Sequence, residues 1–232
     1  MLVSYSTKLR YVQNKIQEYV ATILKVYGNE LLLCLEDCNL LKNPRNCIES
    51  STAPGFILEE FIISKLEVFT HDHKGEEEIV IKRNDKSTTA SSYDCYVNFK
   101  NIKILINHKA EKEGGENSAI AAINKLNGDY VISEPEQEKA FLVLKLKYKY
   151  IVSEKDNQRK FFISDINSFF LEEIDFSKGH KQDHRNWSKN FKSSSGRLIV
   201  DESFRKQHNI EDKKMSYLNT RKFIAKLAES EE

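Results

Sequence analysis

The stretch SSYDCYVNFKNIKILINHKAEK, from Ser91 to Lys112, decides the fold of this chain. Two runs within it, YDCYVNF and KILINHK, alternate apolar with polar residues, and a short polar turn, KNIK, joins them. Alternation with a period of two predicts strands, and a tight polar turn predicts that the two strands are neighbours in one sheet. Asp94 would then lie on the first strand, while Asn107 and Lys109 would share one face of the second.

Helical patterns precede this pair of strands. From Leu9 to Cys38, apolar residues recur at spacings of three and four, and a second helix is expected from Leu31. A connector containing Pro, Ser and Thr follows. The segment FILEEFIISKLEVF then predicts another helix, with Phe56, Ile63 and Leu66 along its buried side.

Further strands and helices surround the pair. EIVIKR before it, and AFLVLKLKYKYIV and KFFISDINSFF after it, predict strands. EGGENSAIAAINKLNG predicts a loop that becomes a helix, starting near Asn117 or Ser118 and ending at Gly128, and NTRKFIAKLAES predicts the last helix. Helices that precede and intersperse a cluster of strands predict the α/β (α+β) class, with a central mixed β-sheet flanked by helices.

Charge is unevenly distributed along the chain. The net charge of the 232 residues is +1, yet residues 176–226 contain 13 Lys and Arg against 5 Asp and Glu. A segregated positive segment favours a polyanionic partner, although a lysine-rich solvated surface would give the same count. We expect a single domain, 1–232, with a helical region at 1–41, a core at 43–175 and a basic segment with the last helix at 176–232.

Composition excludes several classes of protein. No apolar run approaches the ~20 residues that a membrane span needs, and the N-terminus lacks a signal-peptide core. Cys34 and Cys38 form a C-x3-C pair without a matching His or Cys pair, which favours buried thiols over zinc. A reduced, cytoplasmic protein without membrane contact is expected. The chain contains no P-loop, dinucleotide fingerprint or Gly-x-Ser-x-Gly elbow.

The strand pair carries residues suited to metal-dependent phosphodiester hydrolysis. That reaction uses carboxylates to hold one or two Mg²⁺ ions, and a cation to help the attacking water and the developing charge. Asp94 and Asn107-x-Lys109 match this layout, except that the second acid is an amide. Glu59 is the candidate for a third acid, because it lies toward the buried stripe of the preceding helix; Glu60 is the alternative. Burying its carboxylate unpaired would cost more than the roughly 2–7 kcal/mol of a neutral polar group, unless a metal or Lys109 relieved it.

These motifs resemble the PD-(D/E)XK nuclease superfamily. The similarity comprises Gly-x-x-Leu-Glu on a helix (Gly55 to Glu59), an acid on one strand, and [acid]-x-Lys on the next. It is closest to type II restriction endonucleases, whose helix is preceded by a Ser/Thr-rich turn similar to that in NPRN…IESSTAPGFILEEF. The C-terminal YLNTRKFIAKLAES also looks like the closing Thr-Arg helix of blunt-cutting members that read A·T-rich sites. The resemblance covers roughly Asn43 to Lys109 and the tail.

The resemblance implies a restriction-endonuclease-like core in a homodimer that cleaves double-stranded DNA at a short palindromic site, using Mg²⁺. Asp94 would be the principal metal ligand and Glu59 a helix-borne acid, with Asn107 completing the ligand set. Lys109 would orient or activate the attacking water and stabilise charge on the phosphate. Residues 1–41 are the expected dimer contact, and a DNA methyltransferase is the expected functional companion.

Asn107 departs from the pattern of this superfamily. An amide oxygen can ligate Mg²⁺ but brings no negative charge, so metal affinity should fall and a second metal becomes doubtful. Two explanations remain open at this stage. Asn107 is natural and Glu59 or Glu111 supplies the missing charge, or an Asp→Asn change was introduced to silence cleavage.

DNA readout is predicted from two polar segments. Asparagine and glutamine suit adenine edges, and arginine and lysine suit guanine. In similar enzymes the loop after the [acid]-x-Lys strand lies near DNA, which makes Asn117 and Ser118 candidates for phosphate or minor-groove contacts. The segment SKGHKQDHRNWSKNFK is the candidate for base readout, the alternative being an ordinary charged loop; its candidate residues are Lys178, His180, Lys181, Gln182, His184, Arg185, Asn186 and Lys189.

Two rival functions remain open from the sequence. The first is a non-catalytic DNA-binding protein on a nuclease-like fold, which Asn107 favours. The second is a different Mg²⁺ nuclease, acting in repair or recombination on structured DNA.

Overall fold

A six-stranded mixed sheet forms the centre of the molecule. The computed structural model describes residues 4–28, 30–31, 52–73, 79–86, 90–114, 119–152, 159–174, 181–183, 197–199 and 215–229. The strands within these ranges are β1 (Glu30–Leu31), β2 (Ile81–Arg83), β3 (Cys95–Phe99), β4 (Ile102–Lys112), β5 (Ala119–Ala122), β6 (Glu138–Val152), β7 (Arg159–Phe170), β8 (Lys181–Asp183) and β9 (Arg197–Ile199). The α-helices are α1 (Tyr5–Tyr27), α2 (Thr52–Asp72), α3 (Ile123–Leu126) and α4 (Tyr217–Glu229).

The strand order of the central sheet is β1-β7-β6-β4-β3-β2. Strands β4 and β6 are parallel, and the other neighbours in this sheet are antiparallel. The predicted pair is present as β3 and β4, with Cys95 opposite Ile106 and a turn at Lys100, whose φ of 55° lies in the left-handed region. The predicted class, a central mixed sheet flanked by helices, is confirmed.

Helices α1 and α2 cover one face of the sheet. Ser4 caps the N-terminus of helix α1, because its hydroxyl accepts the Thr7 N–H at 3.2 Å, and Gly28, whose φ of 86° suits glycine, follows the last residue of the helix. The core on this face combines both helices with every second residue of the strands, and each fully buried Leu or Ile contributes roughly 1.5–3 kcal/mol of burial free energy. Its central members include Leu9, Val12, Ile16, Leu58, Ile62, Leu66, Ile104, Ile106, Leu142 and Leu144.

The alternate strand residues form a second core on the opposite face. Leu105, Phe141 and Val143 lie there, under α3, α4 and a π-helical turn at Asn127–Ile132 that continues α3 without a break. Side chains from these covering elements and from strands β5 and β9 complete this core, among them Ile120, Ile123, Leu126, Tyr130, Leu198, Tyr217 and Ile224. Burial on both faces explains why β6 reads as a nearly continuous apolar run in its first half.

A second, three-stranded sheet has the order β5-β9-β8. Strand β5 follows the loop after β4 in the chain, and β8 and β9 belong to the basic segment. Antiparallel pairing places Ala122 opposite Arg197 and Lys181 opposite Ile199. This small sheet therefore joins the two parts of the chain in which DNA contacts are predicted.

The structure corrects several sequence predictions. Leu31 is a strand residue opposite Phe161 rather than the start of a helix, because the chain leaves α1 at Gly28 and pairs with β7. Phe56 is 61% exposed: it precedes the buried Leu58 by two positions, or about 200° around the helix.

The segment after β4 also differs from its prediction. Residues Ala119–Ala122 are strand β5 rather than the first turn of a helix, since β9 lies alongside to pair with them. Gly128 lies inside the π-helical turn and does not end the helix. Within the described ranges, no helix is both long enough and apolar enough to cross a membrane.

Candidate active site

The candidate site lies where β4 extends beyond the end of its neighbour β3. Strand β3 begins at Cys95 opposite Ile106, whereas β4 continues to Lys112 in parallel pairing with β6. Among the described residues, no strand pairs with the β3 side of β4 beyond Ile106, and we call this side the open edge. Two carboxylates accept hydrogen bonds along it: Asp94 Oδ2 from the His108 N–H at 2.7 Å, and Glu59 Oε1 from the Ala110 N–H at 2.8 Å. The two predicted acids thus lie side by side along one strand edge.

Helix α2 delivers Glu59 to this edge. The neighbouring Leu58 is fully buried against the sheet, so Glu59 lies at the border of the buried stripe, as predicted. The alternative acid, Glu60, is exposed and accepts two hydrogen bonds from the Arg83 guanidinium at 2.8 and 3.1 Å. The structure thereby separates the two adjacent glutamates, and only Glu59 reaches β4.

The two carboxyl groups differ in proton affinity. Burial raises the pKa of Glu59 above its usual value, although the Lys109 charge and the Ala110 N–H oppose this rise. Burial also acts to raise the pKa of Asp94, but interactions with His108, followed by the charge of Lys109, outweigh it and hold that pKa below its usual value. Asp94 is therefore the firmly ionised acid, and Glu59 is the acid that a cation or a proton would relieve.

Lys109 and His108 lie on opposite faces of β4. Lys109 is half-buried, and its ammonium lowers the pKa of both carboxyl groups. His108 is fully buried, and its Nδ1 lies 3.8 Å from Asp94 Oδ2. Neither ring nitrogen of His108 has a hydrogen-bond partner among the described residues.

Asn107 is held by the backbone of two other segments. Its side chain is buried, and its Nδ2 donates to the Ser92 carbonyl at 2.9 Å and to the Ile120 carbonyl at 2.8 Å. A carboxylate in the same position would present an oxygen to two carbonyl oxygens and could donate to neither while ionised. The two carbonyls therefore suit the nitrogen of an amide, whereas the buried Oδ1 of Asn107 has no hydrogen-bond partner among the described residues.

Asp129 is a site residue that the sequence interpretation missed. Its Oδ2 accepts hydrogen bonds from the Ser92 N–H at 2.7 Å and from the hydroxyls of Ser92 and Ser91 at 2.9 and 3.0 Å. Asn84 adds a bond from its Nδ2 to the Tyr93 carbonyl at 3.1 Å. Together these bonds hold the segment that leads into Asp94. The Ser91-Ser92 pair before Asp94 is visible in the sequence, but no local pattern indicates that Asp129, on a later helical turn, binds it.

A second lysine lies next to Lys109 in the sheet. Parallel register places Lys145 of β6 opposite Lys109. Lys145 is buried, and its Nζ lies 3.7 Å from Glu111 Oε2. Glu111 was one of the acids expected to replace the charge missing at position 107. In the structure it is buried beside Lys145, and Glu59 is the acid that lies near Asp94.

The two carboxylates at the strand edge suit a Mg²⁺ ion whose remaining ligands are substrate and water. Among the residues that the structure describes, no group of three or more His, Cys, Asp and Glu side chains is placed to hold a metal ion. Mg²⁺ is commonly bound through one or two carboxylates together with waters and substrate phosphates, so two suffice. The bonds to His108 and Ala110 use one oxygen of Asp94 and one of Glu59, which leaves each carboxylate a second oxygen.

Most of the predicted DNA contacts lie outside the described residues. These are Asn117, Ser118, Lys178, His180, His184, Arg185, Asn186 and Lys189. Lys181 and Gln182 belong to β8, opposite Ile199 and Leu198. Arg197 is exposed at the start of β9. The described part of the basic segment thus contributes two of the three strands of the small sheet.

Comparison with known proteins yields no match in sequence and a distant similarity in structure. No protein-family model matches the chain, and no curated protein matches it. Among solved structures, the chain is similar to the NlaIV restriction endonuclease, with a TM-score of 0.40 and 16% sequence identity over 79% of this chain and 68% of that one. A functional proposal for this chain therefore rests on the arrangement of its own side chains.

Proposed function

We propose that this protein is a Mg²⁺-dependent endonuclease of the type II restriction kind, which hydrolyses phosphodiester bonds of double-stranded DNA at a short palindromic sequence. The observation that carries the proposal is the placement of Asp94 and Glu59 along the open edge of β4, with Lys109 on that same strand. Two acids and an ammonium concentrated at one strand edge are the groups that phosphodiester hydrolysis requires.

Each of the three residues has a role that follows from its surroundings. Asp94 and Glu59 would hold the ion, which supplies Lewis-acid stabilisation of the phosphate charge when bound. Asp94 stays ionised because its pKa is lowered, and Glu59, whose pKa burial raises, is the acid whose ionised form the positive charge of the ion would favour most. The Lys109 ammonium would hold a phosphate oxygen and stabilise the charge that develops on it.

The proposed substrate follows from the basic C-terminal segment. Residues 176–226 carry a surplus of eight positive charges, and two of their strands lie in the small sheet. Such a segment would bind phosphates, and a palindromic site would be engaged by two copies of the chain related by two-fold symmetry. A homodimer and a companion DNA methyltransferase complete this proposal.

Cleavage of DNA tests the proposal. The protein is incubated with plasmid DNA and Mg²⁺, and the ends are mapped for the wild type, Asp94→Asn, Lys109→Met and the control Glu60→Gln. We expect discrete fragments from the wild type and the control, and none from the other two. Activity of Asp94→Asn would refute the mechanism, whereas ragged or junction-dependent cutting would identify a repair or recombination nuclease.

A second candidate function is a DNA-binding protein that does not cut. The observation in its favour is Asn107, which leaves the site with two acids where the superfamily pattern expects another. In that experiment this candidate predicts no ends at any Mg²⁺ concentration, and in a separate gel-shift assay it predicts that the wild type binds DNA.

A further inference from the structure

Asn107 connects two segments that belong to different parts of the molecule. Ser92, which accepts one of its hydrogen bonds, precedes Asp94 by two residues and is also held by Asp129. Ile120, which accepts the other, lies in β5 of the small sheet. One side chain on the strand of the candidate site therefore bonds both to the segment that carries an acid and to the sheet that contains the basic segment.

The residue type at position 107 is suited to this connection. A neutral planar amide supplies two N–H donors from one nitrogen, and both are used, at 2.9 and 2.8 Å. The side chain is only 4% exposed, so water does not replace these bonds readily if they are lost. A shift of β5 would move the Ile120 carbonyl, and the shared nitrogen would transmit that shift to Ser92.

We propose that Asn107 is a positioning residue, which couples engagement of DNA by the small sheet to the placement of Asp94. This inference rests on the proposed nuclease function and deepens it. The asparagine is a native part of the mechanism, and the departure from an acid at this position exchanges a metal ligand for a link between DNA contact and the reacting edge. Asn107 acts through Ser92 and Asp94 and does not contact the phosphate.

The test compares Asn107→Leu with Gln13→Leu. Gln13 is a matched control, because its buried amide also donates to a backbone carbonyl, that of Ser168 at 2.8 Å, but lies between α1 and β7. Single-turnover cleavage and DNA affinity in Ca²⁺ are measured for both variants, with a short duplex that carries the mapped cut site. We expect Asn107→Leu to keep its affinity and to cut about 100-fold more slowly, as for a small misplacement of a reacting group. Gln13→Leu should match the wild type in both measurements.

Hydrogen exchange separates failure of the coupling from failure of the proposed function. DNA should slow amide exchange in β5 and in residues 91–94 of the wild type, but only in β5 of Asn107→Leu. Sheared plasmid DNA serves as the probe if the wild type cuts nothing, and the coupling is then judged by exchange alone. If Asn107→Leu does not fold, Asn107→Ser, which keeps one donor, takes its place.

Three results would overturn the coupling. The first is wild-type cutting by the Asn107 variant. The second is an equal loss of rate in Gln13→Leu, which would indicate that general destabilisation is responsible. The third is a DNA-bound wild type in which exchange changes in neither segment.

Discussion

Replacing Asn107 with aspartate tests whether this position accepts the carboxylate that is found there in the nuclease pattern that the sequence resembles. In the structure the Asn107 nitrogen donates to two buried carbonyl oxygens, those of Ser92 and Ile120. An aspartate there would keep the shape of the side chain, lose both donors while ionised, and bring a negative charge to within hydrogen-bonding distance of both carbonyls. We expect Asn107→Asp to destabilise the fold and not to activate cleavage.

The size of the effect follows from the two lost bonds. Each buried carbonyl left without its donor costs about 1–3 kcal/mol, so two cost about 2–6 kcal/mol before charge repulsion is counted. A total stability of about 5–15 kcal/mol is usual, so this loss is a large fraction of it. Protonation of the new acid offers partial relief, because its pKa in the folded state is raised by burial and by the two carbonyl oxygens.

The sign of the pH dependence follows from that raised pKa. The protonated acid is favoured in the folded state, so the penalty is smallest below the ordinary aspartate pKa of about 4 and grows as the pH rises toward the folded-state pKa. Urea denaturation of the wild type and Asn107→Asp at several pH values between about 5 and 8 measures this difference. The control is Asn98→Asp on β3, an exposed asparagine, whose change should stay within about 0.5 kcal/mol.

One outcome would refute the reasoning about the amide site. If Asn107→Asp were as stable as the wild type near pH 7 and cut DNA faster with Mg²⁺, position 107 would be a carboxylate position. Asn107 would then be the introduced change that silences the enzyme.

Three further predictions concern other parts of the structure. Burial raises the pKa of the Glu172 carboxyl to about 8, so the native state is favoured at low pH and loses stability as the pH rises from about 4.5 toward 8. Urea denaturation across this range should show a flatter pH dependence for Glu172→Gln, and parallel curves would contradict the assignment. Asp129→Asn weakens three charge-assisted bonds to Ser91 and Ser92 and should cost about 2–4 kcal/mol in urea denaturation, with a larger loss in cleavage rate than in DNA affinity. Mg²⁺ should stabilise the wild type against heat, by about 2.7 kcal/mol at 100 times its dissociation constant, and should do so much less for Asp94→Asn; equal shifts in both proteins would place the ion elsewhere.

The periodicity and composition of the sequence were sufficient to predict the secondary-structure elements that depend mainly on local sequence. Strands β3, β4, β6 and β7 show alternating or continuous apolar runs, and the structure contains them close to where the patterns predict. Asp94, predicted on the first strand of the pair, immediately precedes β3, which begins at Cys95. The same alternation puts Asn107 and Lys109 on one face of β4, because side chains of a strand alternate whatever the strand packs against. The mixed sheet with flanking helices followed from the order of these patterns.

Contacts between residues far apart in the sequence determined the features of the fold that local patterns did not predict. Leu31 and Ala119–Ala122 became strands because β7 and β9 lie beside them, and Phe56 is exposed because the sheet contacts a different side of α2. The helical pattern favoured Glu59 over Glu60, and the positions of the open edge of β4 and of the Arg83 guanidinium decided between the two acids.

Asn107 illustrates the boundary between sequence and tertiary structure most clearly. In the sequence, Asn107 stands two residues before Lys109, on the strand expected next to Asp94. The nuclease pattern that the sequence resembles has a carboxylate at this position. The carbonyl groups of Ser92 and Ile120, brought to it from 15 residues before and 13 residues after, make that position one for an amide donor. A hydrogen-bond partner's identity depends on three-dimensional proximity, which residue spacing along the chain does not encode.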